Sequence, residues 1–261
     1  MPYRRVIPHS DGAGIVDAVG PGVDPGRIGR RVWLYGAQSY RPFGTAAEFT
    51  VVPTEQAVDL PDEVSDEIGA CLGIPGITAH RAVFADGPVT GQTVLVHGVL
   101  GGVGALAAQL ARWGGAIVVG TVRRSASVDE VDTAIVSELV ALDQPDPAAA
   151  IAERAQEGVD RIIEVAFSDN VDLDAAVAKT TQSSPHTRRA RTALTSRSGR
   201  CCSNIARFTL SGRGYLPSLI RTHIGKTERP AACADGRLRG HANRRQMCAV
   251  SRVVWPYITH R

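Results

Sequence analysis

Four glycines within seven residues, Gly98, Gly101, Gly102 and Gly104, separate a β-branched run, Thr93-Val94-Leu95-Val96, from an Ala/Leu-rich segment that begins at Ala105. The first run reads as a buried parallel strand and the second as a helix. Strand, glycine turn and helix together describe an anion cradle. Glycines let the backbone approach a pyrophosphate with no Cβ in the way, and the free N–H groups and positive dipole end of the helix face the charge. The spacing Gly98-x-x-Gly101-x-x-Gly104 departs from G-x-G-x-x-G, so its weight comes from the strand before and the helix after. The chemistry expected here is dinucleotide binding. His97, at the end of the strand beneath the turn, reads as structural rather than catalytic.

The elements that must hold this turn alternate along the chain. Strands are expected at 93–97, 116–121, 138–142 and 160–166. Helices are expected at 77–85, 102–113, 129–137 and 147–156, with another starting at 171–178. Repeating β-α units mean a parallel sheet with helices on both faces, a doubly wound nucleotide-binding layout. Earlier in the chain, 13–19, 31–35 and 46–52 read as short strands. The first two are separated by the turn-rich stretch Gly20-Pro21-Gly22-Val23-Asp24-Pro25-Gly26, and together the three suggest a partly open barrel. Pro61 and the acids Asp62, Glu63, Asp66 and Glu67 mark a helix N-terminus. After Ala178 neither the 2.0 nor the 3.6 period continues. The best candidates for order there are Tyr215–Ile220 and Val250–Ile258, and the later strands of a doubly wound sheet are not expected.

Charge changes at the same place. Residues 1–178 carry 12 arginines and no lysine against 24 acidic residues, a balance of −12, whereas residues 179–261 carry 17 basic residues against Glu228 and Asp235, a balance of +15. Cysteine divides likewise, with Cys71 alone in the first part and Cys201, Cys202, Cys233 and Cys248 in the last. An odd count of five argues against a disulfide framework. Cys71, in an Ala/Leu/Gly setting, reads as a small buried hydrophobe. No apolar run reaches the length of a membrane span, and the first residues show no secretory leader, so a cytoplasmic protein is expected.

Several motifs occur in one order: His9-Ser10-Asp11-Gly12-Ala13-Gly14, Val19-Gly20-Pro21-Gly22-Val23, Arg30-Arg31-Val32-Trp33, Gly44-Thr45-Ala46-Ala47-Glu48-Phe49, Leu60-Pro61, Gly76-Ile77-Thr78-Ala79-His80, and Val94 through Gly104. In this set the chain resembles the medium-chain dehydrogenase/reductase superfamily, in its zinc-independent quinone oxidoreductase (zeta-crystallin-like) branch, over about residues 7–178. The resemblance implies an α/β fold: an incomplete Rossmann-like parallel sheet at 76–178 and a partial GroES-like barrel at 1–75. Residues 179–261 then form a basic Arg/Ser/Cys-rich tail. The family carries about one more set of barrel strands ahead of what is Ile7 here, so by the same resemblance the N-terminus reads as truncated. The tail reads as disordered or as the product of a shifted reading frame in a GC-rich gene.

The resemblance also implies hydride transfer from NADPH to a quinone or activated alkene, with the protein supplying position and electrostatics. Thr78 is implied near the nicotinamide. Leu100, Gly101, Gly102, Val103, Gly120 and Thr121 are implied along the pyrophosphate and ribose path beside Gly98 and Gly104, and Tyr35, Tyr40 and Phe43 in the substrate cleft. No residue is assigned as general acid. The choice of NADPH over NADH rests on the residues. NAD enzymes place an acid at the end of the second strand for the ribose 2′-OH, whereas Ile117–Val122 ends here in Arg123-Arg124, which suits a 2′-phosphate.

No metal site is expected. The zinc-dependent relatives' Gly-His-Glu falls on His9-Ser10-Asp11 and their ligand cysteine near Pro75, so Ser10 and Pro75 stand where ligands are needed. The tail cysteines lack C-x₂-C spacing. The family's homodimer is implied through a late strand. Two other readings stay open: a cofactor-binding chain without activity, and a basic tail that binds nucleic acid without sequence specificity.

Overall fold

Short β-branched stretches bounded by turn residues become strands wherever one face can be buried. In the computed structural model, which describes residues 3–39, 41–179, 191–194 and 247–254, they divide between two compact units. One holds the described residues up to Ile74 together with residues 247–254, and the other begins at Pro75 and includes 191–194.

The first unit is built on an antiparallel sheet. Its strands are β1 (Gly12–Val19), β2 (Arg31–Leu34), β3 (Phe49–Pro53), β4 (Ala57–Asp59) and β10 (Met247–Val254), in the order β3-β10-β1-β2-β4. β1 pairs with β2 in the register Ala13↔Trp33 and Gly14↔Val32. The core between them is Val16, Val32, Leu34 and Val52, closed by Cys248, Val250 and Val253 of β10. Arg27 clips the far end of the sheet: its Nη1 donates to Thr54 Oγ1 at 2.7 Å, and its Nη2 donates to the Ala57 carbonyl. A short helix, α1 (Asp66–Cys71), starts where the acidic turn was expected. Ser65 caps it, accepting from the Ile68 amide at 3.3 Å.

Two expectations need correcting here. β10 lies within the tail read as disordered or frameshifted, yet it sits between β3 and β1 and overlaps the candidate for order at Val250–Ile258, starting three residues ahead of it. Its pattern is hidden because β10 carries an extra residue opposite Ala13–Ile15, so the inward phase shifts between Val250 and Val253. Cys71 is exposed rather than buried. The inward residues of its helix are Gly69 and Ala70.

The second unit is a parallel sheet. β5 (Thr93–Val96), β6 (Ile117–Val122), β7 (Glu138–Ala141), β8 (Arg161–Glu164) and β9 (Arg191–Leu194) lie in the order β7-β6-β5-β8-β9, every neighbouring pair parallel. The helices of this unit are α2 (Ile77–Phe84), α3 (Gly102–Trp113), α4 (Pro147–Ala155) and α5 (Phe167–Val177). Asp146 caps α4 by accepting from the Ala149 amide at 2.9 Å, with Pro147 at the first helical position. Leu95, Val119, Val140, Ile151, Ile162 and Val177 form one core cluster. In chain order the strands of this unit read third-second-first-fourth-fifth, the arrangement of a doubly wound sheet.

The helix expected over 129–137 does not form. A 3-10 turn runs over Ser125–Glu130, and Asp132 then takes the Ala134 amide onto its own carboxylate at 2.8 Å, diverting it from a helix. β9 fills a fifth strand position that the sequence pattern left empty, because Arg191-Thr192-Ala193-Leu194 carries no apolar alternation. Tyr215–Ile220, Cys201, Cys202 and Cys233 lie outside the described residues. Among the described residues no helix is long and apolar enough to cross a membrane.

Because Val250 is fully buried and Phe49 is 59% exposed on a neighbouring strand, Val250→Ala is expected to cost about 1.5–3 kcal/mol in urea unfolding and Phe49→Ala under about 0.5.

Candidate functional site

Within the second unit the chain runs from β5 outward to β6 and β7, then crosses back to β8 and β9. The carboxyl ends of β5 and β8 are therefore adjacent at the point where strand order reverses, where open α/β sheets hold their ligands. The glycine turn follows β5 at this point. Gly98 has φ +64°, a left-handed conformation open to glycine. Its carbonyl accepts the Gly101 amide at 2.9 Å, and the Val99 amide donates to the Thr121 carbonyl at 3.1 Å, tying the turn to the end of β6.

Helix α3 starts directly after. Gly101 is its N-cap and offers no side chain, so the first amides, from Gly102 onward, are left to an incoming acceptor. Gly104 allows the close approach. A Cβ there would lie 2.8 Å from the Gly98 carbonyl carbon and 2.9 Å from the His97 carbonyl oxygen. Gly102, by contrast, has nothing within 4 Å of its Cβ position. Gly101 and Gly102 are exposed, as is Leu100, and Val103 is half-buried. The face toward an incoming anion is thus bare backbone.

The other expected cofactor residues fall in three places. Gly120 and Thr121 end β6 within the same cluster, but both are enclosed. A Cβ at Gly120 would lie 2.8 Å from Val136 and 2.9 Å from Val99, so its missing side chain makes room for packing. Thr121 is fully buried. Arg123 and Arg124 are both exposed just beyond β6. Nearby Asp143 binds the Ser125 amide and hydroxyl, with a 2.6 Å bond from Ser125 Oγ, and these bonds hold its carboxyl below the ordinary range. Thr78 is half-buried on α2 of the same unit.

The expected substrate residues belong to the first unit. Tyr35 is half-buried beside Trp33, with ring centroids 5.9 Å apart, and burial raises its phenol pKa. Phe43 is 63% exposed. Tyr40 lies outside the described residues.

Beneath the turn is a polar cluster that sequence reasoning reached only through His97. The ring is fully buried. Nδ1 lies 3.0 Å from Thr121 Oγ1, and Nε2 lies 2.9 Å from Asp174 Oδ1 on α5 and 3.7 Å from Glu164 Oε2 at the end of β8. Thr121 Oγ1 also accepts the Gly98 amide at 3.3 Å. Glu164 Oε1 accepts from the Ala166 amide and, at 3.1 Å, from Asn170 Nδ2. The available signal was an acid closing the apolar run Arg161-Ile162-Ile163-Glu164, followed on the next helix by Asn170 and Asp174 four residues apart. His80, the other histidine considered, is a buried core residue against Phe84, and burial lowers its pKa to about 4.

The first unit has its own buried carboxyl. Asp11 sits against Gly73, where any Cβ would run into its side chain, and it accepts backbone hydrogen bonds from Ile74 and Gly36. Burial outweighs those bonds and raises its pKa from 3.8 to about 6.

Comparison with known proteins agrees with this architecture. No family model matches the chain. Mouse quinone oxidoreductase is 42% identical over 124 residues, which is 46% of this chain and 35% of that protein. The chain thus spans about a third of the length of the curated relatives it matches. Among solved structures, the quinone oxidoreductase of Pseudomonas syringae pv. tomato DC3000 is 28% identical with a TM-score of 0.59, over 67% of this chain and 54% of that one. A mycobacterial protein solved in complex with NADPH is 27% identical with a TM-score of 0.55, over 74% of this chain and 66% of that one. The fold is that of a Rossmann-type parallel sheet in one unit and a GroES-like antiparallel sheet in the other. In sequence and in fold the chain is similar to quinone oxidoreductases.

Two outcomes are expected from these geometries. Gly104→Ala places a methyl against strand backbone that cannot yield, and should cost about 3 kcal/mol or more, while Gly102→Ala should change unfolding free energy by under about 0.5. For Asp11, the folded state holds a proton that the unfolded state lacks between pH 3.8 and about 6. Stability of the first unit should therefore fall as pH rises through that window, and Asp11→Asn should flatten the slope in urea unfolding repeated across it.

Proposed function

We propose that this chain binds NADPH at the β5–α3 turn and is built for hydride transfer to a small quinone or activated alkene, without a metal in the reaction. The observation that carries the reading is the turn itself: an exposed, side-chain-free helix N-terminus at the reversal point of the parallel sheet, with Arg123 and Arg124 at the end of the next strand.

The amides of Gly102, Val103 and Gly104 would bind the pyrophosphate, and Gly101 and Gly102 would let it approach. Arg123 and Arg124 would pair with the ribose 2′-phosphate through charge-assisted bonds. Thr78, in the same unit, would lie on the nicotinamide side, with Tyr35, Tyr40 and Phe43 contributing to the substrate surface. When bound, the cofactor supplies a hydride from nicotinamide C4, and the reduced quinone oxygen takes its proton from water. The protein contributes position and exclusion of competing reactions rather than a covalent step. The relatives that carry these names support the reading. It describes a cytoplasmic enzyme of small molecules, with the branch's homodimer as its assembly.

Titration of the purified full chain with NADPH, followed by nicotinamide fluorescence, tests the binding, and quinone-dependent NADPH oxidation tests the reaction. Saturable binding with no oxidation would leave a cofactor-binding protein without activity, and no binding would remove the reading altogether. In the Arg123→Ala/Arg124→Ala protein, NADPH affinity should fall about 10- to 100-fold while NADH affinity stays unchanged, because the loss of one charged hydrogen bond's worth of pairing is about 1.5–3 kcal/mol.

A further inference from the structure

The turn after β6 meets an acid as well as carrying two arginines. β7 ends beside β6, with Ala141 opposite Val122 and the Leu142 amide donating to the Val122 carbonyl at 2.9 Å. Asp143 is therefore set next to the residues that follow β6, and its carboxylate lies on Ser125. The Ser125 amide donates to Oδ1 at 2.9 Å and to Oδ2 at 3.0 Å, and the Ser125 hydroxyl donates to Oδ1 at 2.6 Å. We propose that Asp143 is a specificity-determining residue that opposes the 2′-phosphate of NADPH, its carboxylate holding the Ser125 donors that a phosphate would take. The inference rests on the cofactor reading above, with the 2′-phosphate at Arg123 and Arg124.

Position supports this first. In a doubly wound sheet the ribose 2′ group is met beyond the end of the second strand. Arg123, Arg124 and Ser125 are consecutive there and exposed, and Asp143 is exposed beside them. A carboxylate that accepts from the amide and the hydroxyl of one residue uses the donors a phosphate oxygen would use. The seat thus has the chemistry of an anion site and is filled from within the chain.

Charge is the second support. The Ser125 hydroxyl first, then its amide, and then the Arg124 guanidinium hold the Asp143 carboxyl below its ordinary range, so the group is ionised at neutral pH. Arg124 therefore answers to this carboxylate as well as to any phosphate. A second anion at the same place meets a fixed negative charge, and because the group is exposed that opposition is moderate and sensitive to salt.

The same bonds also hold the start of the 3-10 turn Ser125–Glu130. A clamp that only shaped the turn would act on NADPH and NADH alike. A competitor for the phosphate seat acts on the ligand that carries the phosphate.

The test is titration of the full chain with NADPH, NADH, 2′,5′-ADP and 5′-AMP, with urea unfolding to show that each variant is folded. Asp143→Asn keeps an acceptor for Ser125 and removes the charge. It should tighten NADPH and 2′,5′-ADP about 3- to 10-fold at low salt, with most of the gain gone above about 0.5 M salt. Asp143→Ala also vacates the seat and should tighten both further, while NADH and 5′-AMP stay unchanged in both variants. Ser125→Ala alone should leave NADPH affinity within about 2-fold, because Asp143 already engages the hydroxyl, yet it should remove the added gain of Asp143→Ala when the two are combined. Equal shifts for NADPH and NADH overturn the proposal, as does weaker NADPH binding in Asp143→Asn. An unsubstituted chain that binds NADPH, with an NADPH-to-NADH affinity ratio that neither Asp143 variant moves, removes this inference and leaves the cofactor reading intact. An unsubstituted chain that binds neither NADPH nor 2′,5′-ADP removes the cofactor reading and this inference with it.

Discussion

The backbone of β5 and the first turn of α3 come closer than any side chain would permit. At Gly104 the missing Cβ leaves room for the carbonyls of His97 and Gly98, and the left-handed Gly98 turns the chain sharply enough to bring them there. That contact sets where the helix begins and therefore where its unpaired amides point. The neighbouring strands then hold it in place. Val99 is bonded to the Thr121 carbonyl, Gly98 to the Thr121 hydroxyl, and Thr121 in turn to the buried imidazole of His97. The turn is thus fixed from beneath by β6, β8 and α5 while its upper face stays bare.

This division explains why both bare backbone and buried charge occur within a few ångströms. An anion site gains from amides with no competing side chains, so glycine serves on the exposed face. A buried layer holds polar groups most cheaply when they pair, and a histidine, two acids, a threonine and an asparagine are hydrogen-bonded to one another below it. The antiparallel unit has a smaller version of the same tension. Asp11 keeps a carboxyl in a tight space that only glycine at position 73 allows, and burial prevails over its two backbone hydrogen bonds.

Legibility in the sequence followed how local each signal was. The β5–turn–α3 unit was readable almost to the residue, because glycine spacing, a β-branched run and an Ala/Leu helix are all near-neighbour patterns. The order of β-α units and the capped start of α4 were readable for the same reason. β4 was too short to register. The segment after Glu130 was lost to an aspartate that captures a backbone amide, and β10 was legible only in its second half, because an extra residue shifts its inward phase.

Sequence alone therefore determined the local devices: a glycine turn at a helix start, a parallel β-α succession, and a pair of arginines at the end of the second strand of that succession. It also carried the ordered motifs in which the chain resembles quinone oxidoreductases. Tertiary structure decided what lies together across long separations. His97 meets Asp174 across 77 residues, Ile15 pairs with Ser251 across 236, and Gly120 leaves room for Val136 and Val99. The physical reason is that backbone geometry and helix or strand periodicity are encoded within a few residues. Burial and polar pairing depend instead on which distant strand the sheet order places alongside.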